Sequence, residues 1–164
     1  MRFWDSAAIL PLLVRDSSSA PVMQAYELDP EVVVWWGTAV ECVSALARLE
    51  RDGSLAPSSL TEGLRRLEGL ADAWREVQPV SAVRQTAIRL LRVHPLRTAD
   101  ALQLGAAIVA AEDHPSTLEF VTLDERLGQA AEREGFAVVR PDRAPAGPDS
   151  GPPNDGEDLR AVLL

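Results

Sequence analysis

Four acidic residues stand at matching places along the chain, each near the start of a helical pattern. Asp5 closes the short bulky segment RFWD, and Glu41 falls in the first helical turn after VVVWW. Asp100 opens the run TADALQLGAAIVA, and Asp124 follows LEFVTL. In a parallel sheet the carboxyl ends of the strands and the amino ends of the returning helices share one edge, so the four can converge. Carboxylates brought together repel and raise one another's pKa unless a cation intervenes. A hard divalent ion such as Mg²⁺ or Mn²⁺ suits them, because it takes oxygen ligands and keeps some of its waters. One such ion, or two about 3.5–4 Å apart, lowers the pKa of an attacking water and stabilises charge building on a phosphodiester. That is nuclease chemistry, and it needs neither histidine nor lysine.

Taken singly, each acid also has a structural explanation. Glu41 completes a capping box with Thr38, Asp124 can cap its own helix, Asp100 answers a helix dipole, and Asp5 directly precedes a helix. The set is harder to explain this way. Ser6, Thr38 and Thr98 stand beside three of the acids and would themselves serve as caps.

Composition narrows the chemistry. The 164 residues, 46% hydrophobic, are enough for one compact domain with a sizeable core. The balance of 25 acids against 16 bases, a net charge of −9, argues against a protein that coats nucleic acid. Every base is arginine, so Schiff-base and P-loop chemistry are excluded. One cysteine, Cys42, and two histidines, His94 and His114, leave no internal disulfide and no cysteine-based zinc site, so a metal site must be built from carboxylates. No apolar run reaches the roughly 18 residues that cross a bilayer, and the first residues lack the order of a signal peptide. The expectation is a cytoplasmic protein with no membrane segment.

The elements that must carry these acids alternate. Arg2 to Asp5 reads as a strand, with a helix from Ala7 to Val14 capped by Ser6. Val32 to Trp36 reads as a central strand buried on both faces, so Trp35 and Trp36 are expected in the core rather than stacked on bases. A helix follows from Thr38 to Gly53, another from Pro57 to about Glu76, and a third over Ser81 to Val93. Glu76 to Val80 can supply a short edge strand. The Asp100 helix begins at Thr98 as its cap and runs to the break near Asp113; Ala106, Ala107 and Ala110 suggest close packing. LEFVTL, a helix from Asp124 to Gly135, and FAVVR complete the pattern. The fold class is α/β, an α/β/α sandwich around a mostly parallel sheet, over residues 1–140. Residues 141–164, rich in Pro, Gly and Asp and ending in LRAVLL, read as a flexible tail whose apolar end either docks or frays.

Four segments in this order, FWDSAAIL, TAVECVSAL, RTADALQLGAAI and FVTLDERLGQAAEREGF, resemble the PIN-domain ribonucleases, and most of all the VapC toxins of bacterial toxin–antitoxin pairs. The resemblance runs from Arg2 to about Arg140. It implies a PIN fold, Mg²⁺- or Mn²⁺-dependent cleavage of RNA, a VapB-like antitoxin partner and a homodimer. It also implies that Asp5, Glu41, Asp100 and Asp124 hold the metal, with the Ser6 and Thr122 hydroxyls supporting them from behind. The chain departs from the family pattern at Ala7, where a second hydroxyl is common, and at Gln103, where many members have histidine.

Arg97 either meets an RNA phosphate or is a solvated loop residue. Arg65 and Arg66 read as solvent-facing, His94 and His114 as turn residues before prolines, and Cys42 as an inert core residue. A phosphoacceptor or haloacid-dehalogenase-like phosphatase also places an aspartate after a strand, but both resemblances require a lysine, which this chain lacks. An RNA-processing nuclease of the same fold, or a PIN-like interaction domain without catalysis, remains as the alternative to a toxin.

Overall fold

The computed structural model describes residues 1–15 and 17–143. Five strands, β1 (Arg2–Trp4), β2 (Val32–Trp35), β3 (Arg75–Val77), β4 (Glu119–Val121) and β5 (Ala137–Val139), form one sheet in the order β3-β2-β1-β4-β5. Every pairing is parallel, with Phe3 opposite Val33 on one side and Phe120 on the other. Among the described residues seven α-helices lie between the strands: α1 (Ser6–Leu13), α2 (Ser19–Leu28), α3 (Thr38–Arg51), α4 (Pro57–Ala71), α5 (Ser81–Val93), α6 (Thr98–Ala110) and α7 (Glu125–Arg133).

Alternation along the strands divides the core in two. Phe3, Val33, Trp35 and Phe120 face a layer built from α5, α6 and α7, while Trp4, Val32, Val34 and Val121 face α1 to α4. Both faces are therefore covered, which is why these strands read as continuous apolar runs rather than alternating ones. Chain order also fixes a crevice. From β1 the sheet grows towards β2 and β3 on one side and resumes with β4 and β5 on the other, so the carboxyl ends of β1 and β4 flank the switch point where open α/β sheets bind ligands.

The differences from expectation have local causes. Trp36 is not core: β2 ends at Trp35, and Trp36 is 49% exposed, edge-on to the Trp35 ring with centroids 6.3 Å apart. The chain turns tightly there, since a Cβ on Gly37 would lie 2.6 Å from the Trp35 indole nitrogen. Helix α4 stops at Ala71 rather than near Glu76, because Trp74 drops into the α1–α4 core and frees Arg75–Val77 to pair with β2. Helix α2 was not foreseen; only Val22 and Ala25 of its ten residues are buried, too sparse a pattern to announce a helix. Arg66 is only half exposed and donates to the Leu13 carbonyl as well as to Glu62. His94 is more than a turn residue, being buried and bonded to Glu134 at 2.7 Å. Of the expected tail, Pro141 to Arg143 are described; residues 144–164, with LRAVLL, lie outside the described residues.

Candidate active site

At the carboxyl end of β1 the chain turns straight into α1, and Asp5 occupies the junction. It, not Ser6, caps the helix: the Ala8 N–H donates to Asp5 Oδ1 at 2.8 Å. Asp5 Oδ2 accepts the Thr122 hydroxyl at 2.8 Å, and the carboxyl is only 2% exposed. Burial is the main force on its pKa, opposed by the Thr122 and Ala8 hydrogen bonds and assisted by the charges of Asp124 and Glu41, and together these push it up to about 7. Carboxylates from three separate junctions thus feel one another across the β1–β4 crevice.

Thr122 couples two of them. Its hydroxyl oxygen accepts the Asp124 N–H at 2.9 Å while its proton goes to Asp5, so one side chain links the ends of β4 and β1. Asp124 caps α7 as expected, with Oδ1 accepting from Leu127 N–H at 2.8 Å. Ser6 is spared from capping and donates instead to Glu41 Oε2 at 2.7 Å. The expected capping box of Thr38 and Glu41 does not form. Gly37 is the N-cap of α3 without a side-chain bond, Thr38 is buried, and Glu41 Oε2 accepts a second bond from Gln103 Nε2 at 2.9 Å.

Asp100 stands apart. Its Oδ2 accepts the Arg97 N–H at 3.2 Å, so this acid closes the start of α6 and Thr98 does not. It makes no hydrogen bond to the other three acids. Arg97 is exposed at the N-cap position. Gln103, one turn after Asp100, is the only α6 side chain among the described residues that hydrogen-bonds into the carboxylate group. Gln103, a departure from the family pattern, belongs to the site although the four acidic motifs do not include it. The available signal was a lone amide inside an otherwise small and apolar helix.

The donor set suits a hard cation. None of the four acids is in an ion pair among the described residues, so no arginine neutralises the cluster. Glu41, Asp100 and Asp124 each commit one oxygen to a protein donor, and the other oxygen accepts no hydrogen bond among the described residues. As placed, no three acidic, histidine or cysteine side chains among the described residues come close enough to enclose one ion. Cys42, buried beside the group, has its thiol pushed up to about 12 by burial and by the charges of Glu41 and Asp5, so it is no ligand in this state.

Comparison with known proteins bears on both sequence and fold. No family model matches the chain. Two curated relatives, Ribonuclease VapC45 and Ribonuclease VapC49 from two strains of Mycobacterium tuberculosis, are each 28% identical over 137 residues, covering 84% of this chain and 93% of theirs. Among solved structures, a toxin–antitoxin complex from Klebsiella pneumoniae superposes with a TM-score of 0.59 at 16% identity, over 86% of this chain and 98% of that one. FitAcB from Neisseria gonorrhoeae gives 0.59 at 19% identity with the same coverage. FitAB bound to a DNA fragment gives 0.61 at 18% identity, over 88% of this chain and 98% of that one. At these identities the structures speak for the fold alone. In sequence the chain is thus similar to ribonucleases named VapC, and in fold it is similar to these solved structures.

Proposed function

We propose that this protein is a metal-dependent endoribonuclease, the toxin of a toxin–antitoxin pair. The observation that carries the reading is Asp5: a buried carboxyl, held high in pKa, facing the charges of Asp124 and Glu41 with no basic side chain to balance them. Capping α1 accounts for one Asp5 oxygen but would be met by a neutral side chain, whereas a charge buried beside two other acids costs free energy that a bound cation would offset. Its relatives VapC45 and VapC49 carry the name ribonuclease, and RNA as the substrate is taken from them.

Asp5, Glu41 and Asp124, with Asp100 from α6, would hold Mg²⁺ or Mn²⁺. When bound, the ion supplies the positive charge that lowers the pKa of an attacking water and offsets charge on the phosphodiester. The chain's own part is positioning. Thr122 fixes the Asp5 carboxyl relative to Asp124, and Ser6 fixes Glu41 by occupying Oε2, so its other oxygen is the one presented. A bound cation would oppose the burial and the neighbouring charges that raise the Asp5 pKa, and so would favour its ionised form. Arg97, exposed beside Asp100, is positioned to meet a phosphate of the RNA.

A VapB-like antitoxin is the partner that this reading requires, and the Klebsiella pneumoniae neighbour, a toxin–antitoxin complex, supports it. Homodimerisation belongs to the same reading, supported by Ile88, Leu91 and Val93 standing exposed on α5. No helix among the described residues is long and apolar enough to cross a membrane, and the reading places the protein in the cytoplasm.

The test is incubation of the purified protein with a pool of cellular RNA, in Mn²⁺ or EDTA, beside an Asp100→Asn variant. Cleavage is expected only for the wild type in Mn²⁺. Cleavage that survives both EDTA and the substitution sinks the mechanism.

A further inference from the structure

We infer that Gln103 is the positioning residue that brings Asp100 into register with the other three carboxylates, an inference that rests on the metal-dependent reading above. Gln103 sits in a helix whose neighbouring side chains are apolar and buried, Ala101, Leu104, Ala106, Ala107 and Ile108, and is itself 1% exposed. A primary amide in such a place is costly unless its hydrogen bonds are made. Its Nε2 donates to Glu41 Oε2 at 2.9 Å and lies 3.5 Å from Thr38 Oγ1. The orientation follows from chemistry: a carboxylate only accepts, so the NH₂ end must face Glu41. Oε1 is then left buried with no donor among the described residues. Only the donor end of this amide is satisfied by the described residues, so its placement serves the bond to Glu41.

The placement of α6 explains what this bond does. On its far side, α6 is seated against α5 at Gly105, where a Cβ would come within 3.1 Å of the Val83 carbonyl oxygen and 3.3 Å of the Ala87 nitrogen. That contact fixes how close α6 can lie to α5. Ala101, Leu104, Ala107 and Ile108 seat the body of α6 in the core beside β1, β2 and β4, and the hydrogen bonds among the described residues that tie α6 to α3 are those of the Gln103 amide. Asp100 makes no such tie, because its hydrogen bond is to Arg97 of its own helix start. Three residues apart, Asp100 and Gln103 share one helical face. The Gln103–Glu41 bond therefore ties that face to α3, and with it holds the Asp100 carboxylate in register with Glu41 and, through Glu41, with Asp5 and Asp124.

A positioning role makes a thermodynamic demand that a filling role does not: loss of Gln103 and loss of Asp100 must not add. Binding of Mn²⁺ alone to the full chain, by calorimetry, reads this without reference to catalysis. Gln103→Met, which keeps length and removes the amide, should weaken Mn²⁺ binding about 10–100-fold, the usual range for a residue that orients a ligand. Asp100→Asn should weaken it comparably, and the double variant should bind no more than about 2-fold worse than Asp100→Asn alone. Ser6→Ala is the control. It removes the other donor to Glu41 Oε2 from α1, and its loss should multiply with that of Asp100→Asn. Thermal melts accompany each variant; if Gln103→Met is unfolded, Gln103→Asn, which retains the amide but draws it back from Glu41, must show the same lack of addition.

The inference is overturned if the Gln103 and Asp100 losses multiply, if Gln103→Met binds Mn²⁺ like the wild type, or if Asp100→Asn does. A wild type that binds no Mn²⁺ at all removes the metal-dependent reading and this inference with it. Intact wild-type binding with multiplying losses removes the inference alone.

Discussion

Asp5 and Glu134 are both acids at ends of the same parallel sheet, and their surroundings treat them in opposite ways. Asp5 follows β1 at the carboxyl edge; Glu134 precedes β5 at the amino edge. Glu134 is 14% exposed, takes Arg89 Nη2 on Oε2 at 2.7 Å and His94 Nε2 on Oε1 at 2.7 Å, and its pKa is lowered, first by the hydrogen bond from Arg89. Asp5 has Thr122 and Ala8 as donors and only other acids as charged neighbours, and its pKa is raised to about 7 by burial. Where the fold needs an acid for itself, it supplies a base. At the carboxyl edge the base is missing, and the balance is left to something that binds.

The sharpest way to break this contrast is Asp5→Asn. Between pH 3.8 and about 7 the native protein keeps a proton on Asp5 that the unfolded chain has lost, so stability falls as pH rises through that window. Above it the metal-free fold bears a cost on the order of 4 kcal/mol, which the neutral asparagine escapes. Metal-free Asp5→Asn should therefore melt several degrees above the wild type at pH 8 and show little difference at pH 3.5. The same variant should lose stabilisation by Mn²⁺ and cut RNA about 100-fold more slowly or worse, the scale of a lost metal ligand. Melting curves with and without Mn²⁺ at both pH values decide it. A variant less stable than wild type at pH 8 would show that Asp5 is compensated after all.

Glu134→Gln tests the other side and should behave in reverse. It leaves the Arg89 guanidinium without its counter-charge and weakens the three hydrogen bonds that Arg89 and His94 make to Glu134, so stability should drop by about 2 kcal/mol at neutral pH. Because the folded pKa is depressed, that contribution is present above the ordinary value of 4.5 and fades as pH falls below it. Denaturant midpoints for the two proteins should converge below pH 4. RNA cleavage, measured at a temperature where both are folded, should be unchanged; a large loss would mean the two edges are not independent.

The contrast was only half legible in the sequence. Alternation of apolar strands and amphipathic helices announced the parallel sheet, and the ends of α5 and of β1 follow directly from Ser81, His94-Pro95 and RFWD. The rule that strand carboxyl ends share an edge put Asp5, Glu41 and Asp124 within electrostatic reach before any coordinate. What could not be read was which hydrogen bond each polar residue makes. Ser6 and Thr38 are good caps by type, but Ser6 serves Glu41, 35 residues away, and Gln103 reaches Glu41 across 62. Local propensity cannot see such bonds, because they exist only once α1, α3 and α6 are packed together. Trp36 failed for a similar reason: the close turn at Gly37 over Trp35, not the strand pattern, decides which indole is buried. The Glu134–Arg89–His94 group was invisible for the same cause, its members lying on α5 and at the end of α7.

The smallest effect concerns Cys42, which reports on both edges without belonging to either. Its thiol, buried beside Asp5 and Glu41, is pushed up to about 12, chiefly by burial. At pH 8 almost none of it is thiolate, so iodoacetamide should leave the native protein nearly unlabelled over an hour, as the thiolate is the reacting form. Labelling then proceeds through opening of the fold, and its rate follows the population of open molecules. A loss of about 2 kcal/mol in Glu134→Gln should raise that rate about 30-fold, whereas metal-free Asp5→Asn should label more slowly than wild type at pH 8. Mass spectrometry of the alkylated chain measures all three. Fast labelling of the folded wild type would mean that the crevice around Asp5 admits solvent, and that the high pKa of its carboxyl has another cause than burial.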